Sequence, residues 1–314
     1  MIVRKFVFTF TIKSAKLTAA CCLFMAIGTF GCSSARNSST APGSRELRDD
    51  LGRAVRLPLR IERAVSLAPN LTEIVFAVGA EDRLVGVTTY CDFPAEARAI
   101  AKVGDTQTPN VERIIALKPD LVLVSTSSQL EAFADTLASR NIAVFVTNPT
   151  NFSDVMKNLE RLGELFGTQA KAQALIDKLN SRAALAEEKY AKRSPVRVFV
   201  QISKEPLYTI GKSSFLTELL TRVGGDVVTK NVETAFPVLS KETALALAPD
   251  AIILSDSSDN TEPNEAFRNS PAVKNEKVFR VNADILSRPG PRLVDAMEIV
   301  GAHLNGITTT PNIK

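Results

Sequence analysis

The chain has no tryptophan, one histidine (His303), three tyrosines and four cysteines among its 314 residues. These scarcities exclude whole classes of chemistry. A bare zinc site usually takes several histidine or cysteine ligands, and one histidine cannot supply them. A serine or cysteine hydrolase needs a base beside its nucleophile. His303 falls near the end of a helical pattern, and Cys91 has no evident partner in the sequence. There is no Gly-x-Ser-x-Gly elbow and no phosphate-cradling glycine loop. Enzymatic activity is therefore not expected, nor a cofactor. The formal charge of +4 is mild, with Arg4, Lys5, Lys13 and Lys16 near the start, so nothing marks a nucleic-acid partner.

Those basic residues precede an apolar run from Leu17 to Phe30. A basic region before a short apolar one reads as a secretory signal, and the run is short for a spanning helix. It closes Thr29-Phe30-Gly31-Cys32. A small residue followed by cysteine resembles the bacterial lipoprotein cleavage site, which would make Cys32 the lipidated residue of a membrane-anchored periplasmic protein. Ordinary cleavage nearby, after Ala35, is the other reading. Residues 1–32 are thus expected to be a signal segment. Residues 33–47, rich in Ser, Pro and Gly, cannot bury a core and read as a flexible tether. Cys21 and Cys22 fall within the signal, so Cys91 alone remains, with no disulfide and most simply as a small buried hydrophobe.

The stretch Ala64 to Pro94 organises the rest. Ala64 to Leu67 reads as a strand. Asn70 is placed to cap a helix, with Glu73 completing a capping box. Leu71, Ile74, Val75 and Val78 form one apolar face, Gly79 ends the helix, and Leu84 to Val87 returns as a strand. Such units build parallel sheets with right-handed crossovers, and ligands sit beyond the carboxyl ends of their strands. Further strands are expected at 121–124, 143–146, 196–201, 208–210, 251–254 and 278–281. Helices are expected at 111–117 (capped by Asn110), from Thr126–Ser128 to about Arg140, at 153–166 and 170–191, from 214 to 223, and at 291–304 with Pro291 in its first turn. The last helix has an inner stripe of Leu293, Met297, Val300 and Leu304.

One repeat stands out: residues 110–125 match residues 240–255. Both read cap, any residue, Glu, apolar helix, Pro-Asp, apolar strand, Ser. This argues for two similar lobes and puts Glu112 and Glu242 in equivalent first turns. The macrodipole alone favours an acid there, by about 0.3–1 kcal/mol.

The run VSLAPNLTEIVFAVGAEDRLVGVTTYCDFP, preceded by DDLGRAVRLP, is similar to the periplasmic binding proteins for cobalamin and iron chelates, above all the cobalamin-binding branch. The likeness runs from about Asp49 to Leu304. It implies an α/β fold of two Rossmann-like lobes joined by a single long helix, the class III binding-protein architecture. The lobes would be residues 48–150 and 168–308, with the linking helix at 151–167 and a tail at 309–314. It implies no catalysis, but capture of cobalamin or a related corrinoid between the lobes by a monomer. Delivery would follow to an inner-membrane ABC permease with its own ATPase, docked through Glu112 and Glu242. Tyr90, Asp284 and Arg288 match the branch in residue type, and Phe236 stands where it has a tryptophan. Thr106 and Ser125 fall where aromatics can occur, and Ile202 replaces another. Strand-end turns add Asp92, Phe93 and Gln107 to the candidate cleft. Arg288 can serve amide oxygens or a phosphate, or can simply pair with Asp284; Tyr90 can equally be a half-buried core residue. A ferric siderophore or haem is the alternative ligand, with Tyr90 as the haem's axial group. Against a siderophore, Arg288 and Arg292 cluster, but the first-lobe turns named here supply no arginine.

Overall fold

A computed structural model describes residues 43–125, 131–191 and 194–306, the side chains of 131–133 excepted. The signal segment, Cys32, most of the tether, the Thr126–Ser128 cap and the 309–314 tail lie outside the described residues. Among the described residues no helix is long and apolar enough to cross a membrane.

The described chain opens with β1 (Ser44–Arg48) and β2 (Ala54–Pro58), an antiparallel hairpin. Residues 44–47 are therefore strand, and the expected tether is shorter at that end. The first lobe follows: β3 (Ala64–Ser66), α1 (Pro69–Ala77), β4 (Leu84–Val87), α2 (Val111–Ala116), β5 (Leu121–Ser125), α3 (Glu131–Ala138) and β6 (Ala143–Thr147). Then come α4 (Phe152–Phe166) and α5 (Gln169–Tyr190). The second lobe comprises β7 (Val196–Gln201), α6 (Phe215–Arg222), β8 (Gly225–Val227), α7 (Lys241–Leu247) and β9 (Ala251–Asp256). It ends with α8 (Pro271–Lys274), β10 (Val278–Asn282), α9 (Ala283–Ser287) and α10 (Leu293–Leu304).

Each lobe has its own parallel sheet, in the order β4-β3-β5-β6 and β10-β9-β7-β8. Read from the other edge, the second order is β8-β7-β9-β10, so the two topologies coincide strand for strand. The sequence repeat is duplicated down to its backbone. Asn110 and Ser240 both cap by accepting the amide three residues on, at 2.8 and 3.2 Å. Lys118 and Ala248 both adopt a left-handed conformation, with φ of 47° and 42°. Arg63 donates to the Leu117 and Lys118 carbonyls, and Arg197 to those of Leu247 and Ala248. Each arginine closes the orphan carbonyls at a helix C-terminus, where positive charge is favoured.

α4 is held from both sides. Its first-turn amide, Phe152 N, donates to Glu218 of α6, and Arg222 stacks on the Phe152 ring. At its far end Arg45 of β1 donates to the Glu164 and Leu165 carbonyls, and Arg161 pairs with Asp50. Gly167, at φ 73°, ends it in the left-handed cap that favours glycine. One continuous apolar core joins both lobes through α4, α5 and α10, with a smaller cluster on the outer face of each sheet.

Four local expectations are corrected. Ala68, not Asn70, precedes α1, with Pro69 in its first turn. Asn70 is buried inside the helix and Glu73 makes no capping box; both are drawn into contacts with the second lobe. Tyr208 to Ile210 is not a strand: Tyr208 makes isolated bridges to Ser203 and Val238. Pro291 precedes α10 rather than opening it, because the chain first turns through Arg292. Short β8 and α9 carried too little periodicity to be read. Cys91 is buried, its thiol 3.1 Å from the Thr88 hydroxyl.

Candidate functional site

In each sheet the order reverses beside the first strand, between β3 and β5 and between β7 and β9. Such switch points open a crevice at the carboxyl ends of the strands. The loops leaving those ends face each other across a cavity of about 270 Å³. From the first lobe come Asn70, Thr106, Ser125 and the turn after β6; from the second come Ser213, Phe236 and the segment Ser287–Pro289.

Arg288 is the one charged residue in that lining among the described residues, and carboxylates from both lobes surround it. Its Nη1 lies 3.0 Å from Glu73 Oε1 and 3.0 Å from Asp92 Oδ1, and its Nη2 2.6 Å from Asp284 Oδ1. Only 12% of its side chain is exposed. Burial disfavours the guanidinium charge, but Glu73, Asp284 and Asp92 together outweigh it and hold the pKa above the ordinary arginine value. Arg292 completes the cluster. It grips Glu73 with two hydrogen bonds, at 2.9 and 2.6 Å, and its guanidinium lies 4.0 Å from the centre of the Phe93 ring. Glu73 is nearly fully buried, 2% of its side chain exposed. A buried carboxylate needs this degree of compensation. Asn70 adds a longer contact, Nδ2 to the Pro289 carbonyl at 3.4 Å.

Of the sequence-derived candidates, Thr106, Ser125, Phe236 and Arg288 line the cavity. Asp92 and Asp284 are not in the lining; they join it through Arg288. Tyr90 is also outside the lining. It is 60% exposed on the turn after β4, with its carbonyl 3.4 Å from Arg288 Nη2, which corrects the half-buried core reading. Gln107 is exposed, and Ile202 packs on the core. Phe236 is 46% exposed. Arg288 does pair with Asp284, as one of three partners. Glu112 and Glu242 are exposed in the first turns of α2 and α7. The Glu242 backbone amide and the Ser240 hydroxyl keep the Glu242 carboxyl below its usual pKa. Among the described residues no group of His, Cys, Asp and Glu could hold a metal ion.

Glu73 and the role of Arg292 escaped the sequence reading. A signal existed: Glu73 is the only charge in α1, a helix otherwise made of residues suited to burial.

Residues 65–285 match the family model described as periplasmic binding protein. The chain belongs to the periplasmic binding protein family. Members are exported binding proteins that serve ABC importers, so a ligand and a membrane permease are its partners, and the family is not one of enzymes. This periplasmic binding protein is 36% identical over 247 residues to the uncharacterized ABC transporter substrate-binding lipoprotein YvrC of Bacillus subtilis, covering 76% of this chain and 78% of that one. It is 32% identical over 248 residues to the vitamin B12-binding protein of Photorhabdus laumondii, covering 79% and 88%. Its fold matches the crystal structure of the periplasmic vitamin B12 binding protein BtuF of Vibrio cholerae, with a TM-score of 0.71 and 30% identity over 79% of this chain and 98% of that one.

Proposed function

We propose that this binding protein captures cobalamin or a related corrinoid between its lobes and delivers it to the permease of an ABC importer. The observation that carries the reading is Arg288, lining the inter-lobe cavity while carboxylates of both lobes fix its guanidinium. A preoriented donor of this kind can hold the polar edge of a macrocycle. Tyr90 and Phe236, both well exposed at strand-end loops, supply the broad apolar contact that a flat ring requires. The relatives named for vitamin B12 binding support the same reading. The lobes are residues 48–150 and 168–308. The segment 151–167 acts as a stiff link, because α4 is tied at one end to α6 and at the other to β1, and lobe motion is small. Glu112 and Glu242 dock the two lobes onto the permease. The protein is anchored in a membrane by lipid on Cys32, a reading in keeping with the lipoprotein named among its relatives.

The test is incubation with cyanocobalamin followed by desalting and an absorbance spectrum. A corrinoid spectrum retained at one equivalent supports the reading, and calorimetric affinity should fall on Arg288→Ala. A Soret band after the same treatment with haemin, with no retained corrinoid, would replace corrinoid by haem.

A further inference from the structure

We infer that the cleft selects ligands with a carboxamide-bearing rather than a carboxylate-bearing edge, through the acidic guard that Glu73, Asp92 and Asp284 form around its arginines. The inference rests on the binding role proposed above and sharpens its ligand class. An anionic edge is ordinarily met by unengaged guanidinium groups. Here the positive charge of both arginines is already balanced by acids, which leaves Arg288 a donor to neutral oxygens rather than an open site for an anion. Arg292 gives two hydrogen bonds to Glu73 and lies over Phe93, and Arg288 is shared among all three acids. Three carboxylates on two guanidiniums leave the cluster one net negative charge. Among the described residues the ion pairs of these acids are with Arg288 and Arg292; the nearby exposed Arg98 reaches only the Asp92 backbone carbonyl, at 3.3 Å, and Lys102 only the backbone carbonyls of Cys91 and Ala97.

Two of the hydroxyl groups in the lining, Thr150 and Ser213, point the same way. A hydroxyl has one proton to donate and lone pairs to accept with. Thr150 gives its proton to Asp154 Oδ2 at 2.9 Å, and Ser213 to the Glu233 carbonyl at 2.8 Å. Both line the cavity, so what they offer a ligand is acceptor capacity. Lone pairs suit the N–H groups of a carboxamide and repel a carboxylate. Asp92 and Asp284, each with more than two-fifths of the side chain exposed, can likewise accept from amide N–H groups without leaving Arg288.

The experiment compares cyanocobalamin with its three propionamide-derived monocarboxylic acids, each measured separately by calorimetry, and with haemin. One amide replaced by one carboxylate changes charge with almost no change in size. At least one acid should bind about tenfold more weakly than cyanocobalamin, and none tighter, as like charges brought together in a desolvated site require. The Asp92→Asn/Asp284→Asn double variant, altered only at half-exposed positions, should narrow that gap at least about threefold. Glu73→Gln should narrow it as well where it folds. If cyanocobalamin binds and all three acids bind equally well or better, or the gap persists in the double variant, the acidic guard is wrong and the corrinoid reading stands. If haemin binds and cyanocobalamin does not, or if nothing in the series binds, both fall.

Discussion

Glu73 and Arg292 lie 219 positions apart in the chain and meet through two hydrogen bonds, Nε to Oε2 at 2.9 Å and Nη2 to Oε1 at 2.6 Å. The pair crosses from α1 of the first lobe to the turn before α10 of the second. It fastens the two sheets together beside the cleft and holds Arg288 in place through the same carboxylate.

Removing that carboxylate leaves two mostly buried guanidiniums undercompensated. Glu73→Ala should cost about 3–5 kcal/mol of unfolding free energy, the usual result of breaking a buried pair from one side. Chemical denaturation measures it. A loss under 1 kcal/mol, about the scale of an exposed pair, would mean that the lobes are held without this contact.

The matched arginines at the ends of α2 and α7 give a second test. Arg63→Ala and Arg197→Ala should each cost about 1 kcal/mol, from lost hydrogen bonds to terminal carbonyls. They stand in different lobes with no shared partner, so the double variant should show the sum. Strong non-additivity in denaturant midpoints would show that the lobes do not respond independently.

Docking is tested through charge. Glu112→Arg together with Glu242→Arg should abolish stimulation of the transporter ATPase in a reconstituted assay while ligand affinity stays unchanged. Both residues are exposed, so no loss of fold is expected. Full stimulation by the double variant removes these glutamates from the interface.

His303 stacks on Phe279, ring centres 4.7 Å apart, and burial pushes its pKa below the ordinary histidine value. The unfolded chain then binds a proton more readily than the folded one, so stability rises with pH between the lowered value and about 6.5. It falls as pH drops through that window. The effect is small, because the ring is only partly buried. As the sole histidine it gives one imidazole NMR titration, whose midpoint should lie below 6.5. A midpoint at or above that value contradicts the packing described.

Packing of α10 on α5 can be probed at Gly301, where an added methyl would collide with the ring of Tyr190. Gly301→Ala should cost about 1–3 kcal/mol, the range for overfilling a packed core. A neutral outcome in thermal unfolding would mean that Tyr190 can move aside.

The sequence by itself determined what depends on near neighbours. The alternation of strands and helices, the caps at Asn110 and Ser240, the Pro-Asp turns and the duplicated segment were all legible, because hydrophobic period and turn chemistry act over a few residues. Arg288 could be placed beyond the 278–281 strand for the same reason, whereas Phe236 was placed through the family resemblance. Tertiary structure decided the rest. Glu73 looked like part of a capping box because its short-range neighbours suit one. Packing α1 against the second lobe buried it, and a buried carboxylate must find cations wherever the chain brings them. Arg288 and Arg292 become its partners, more than two hundred residues on, through the contact between lobes that no local pattern encodes.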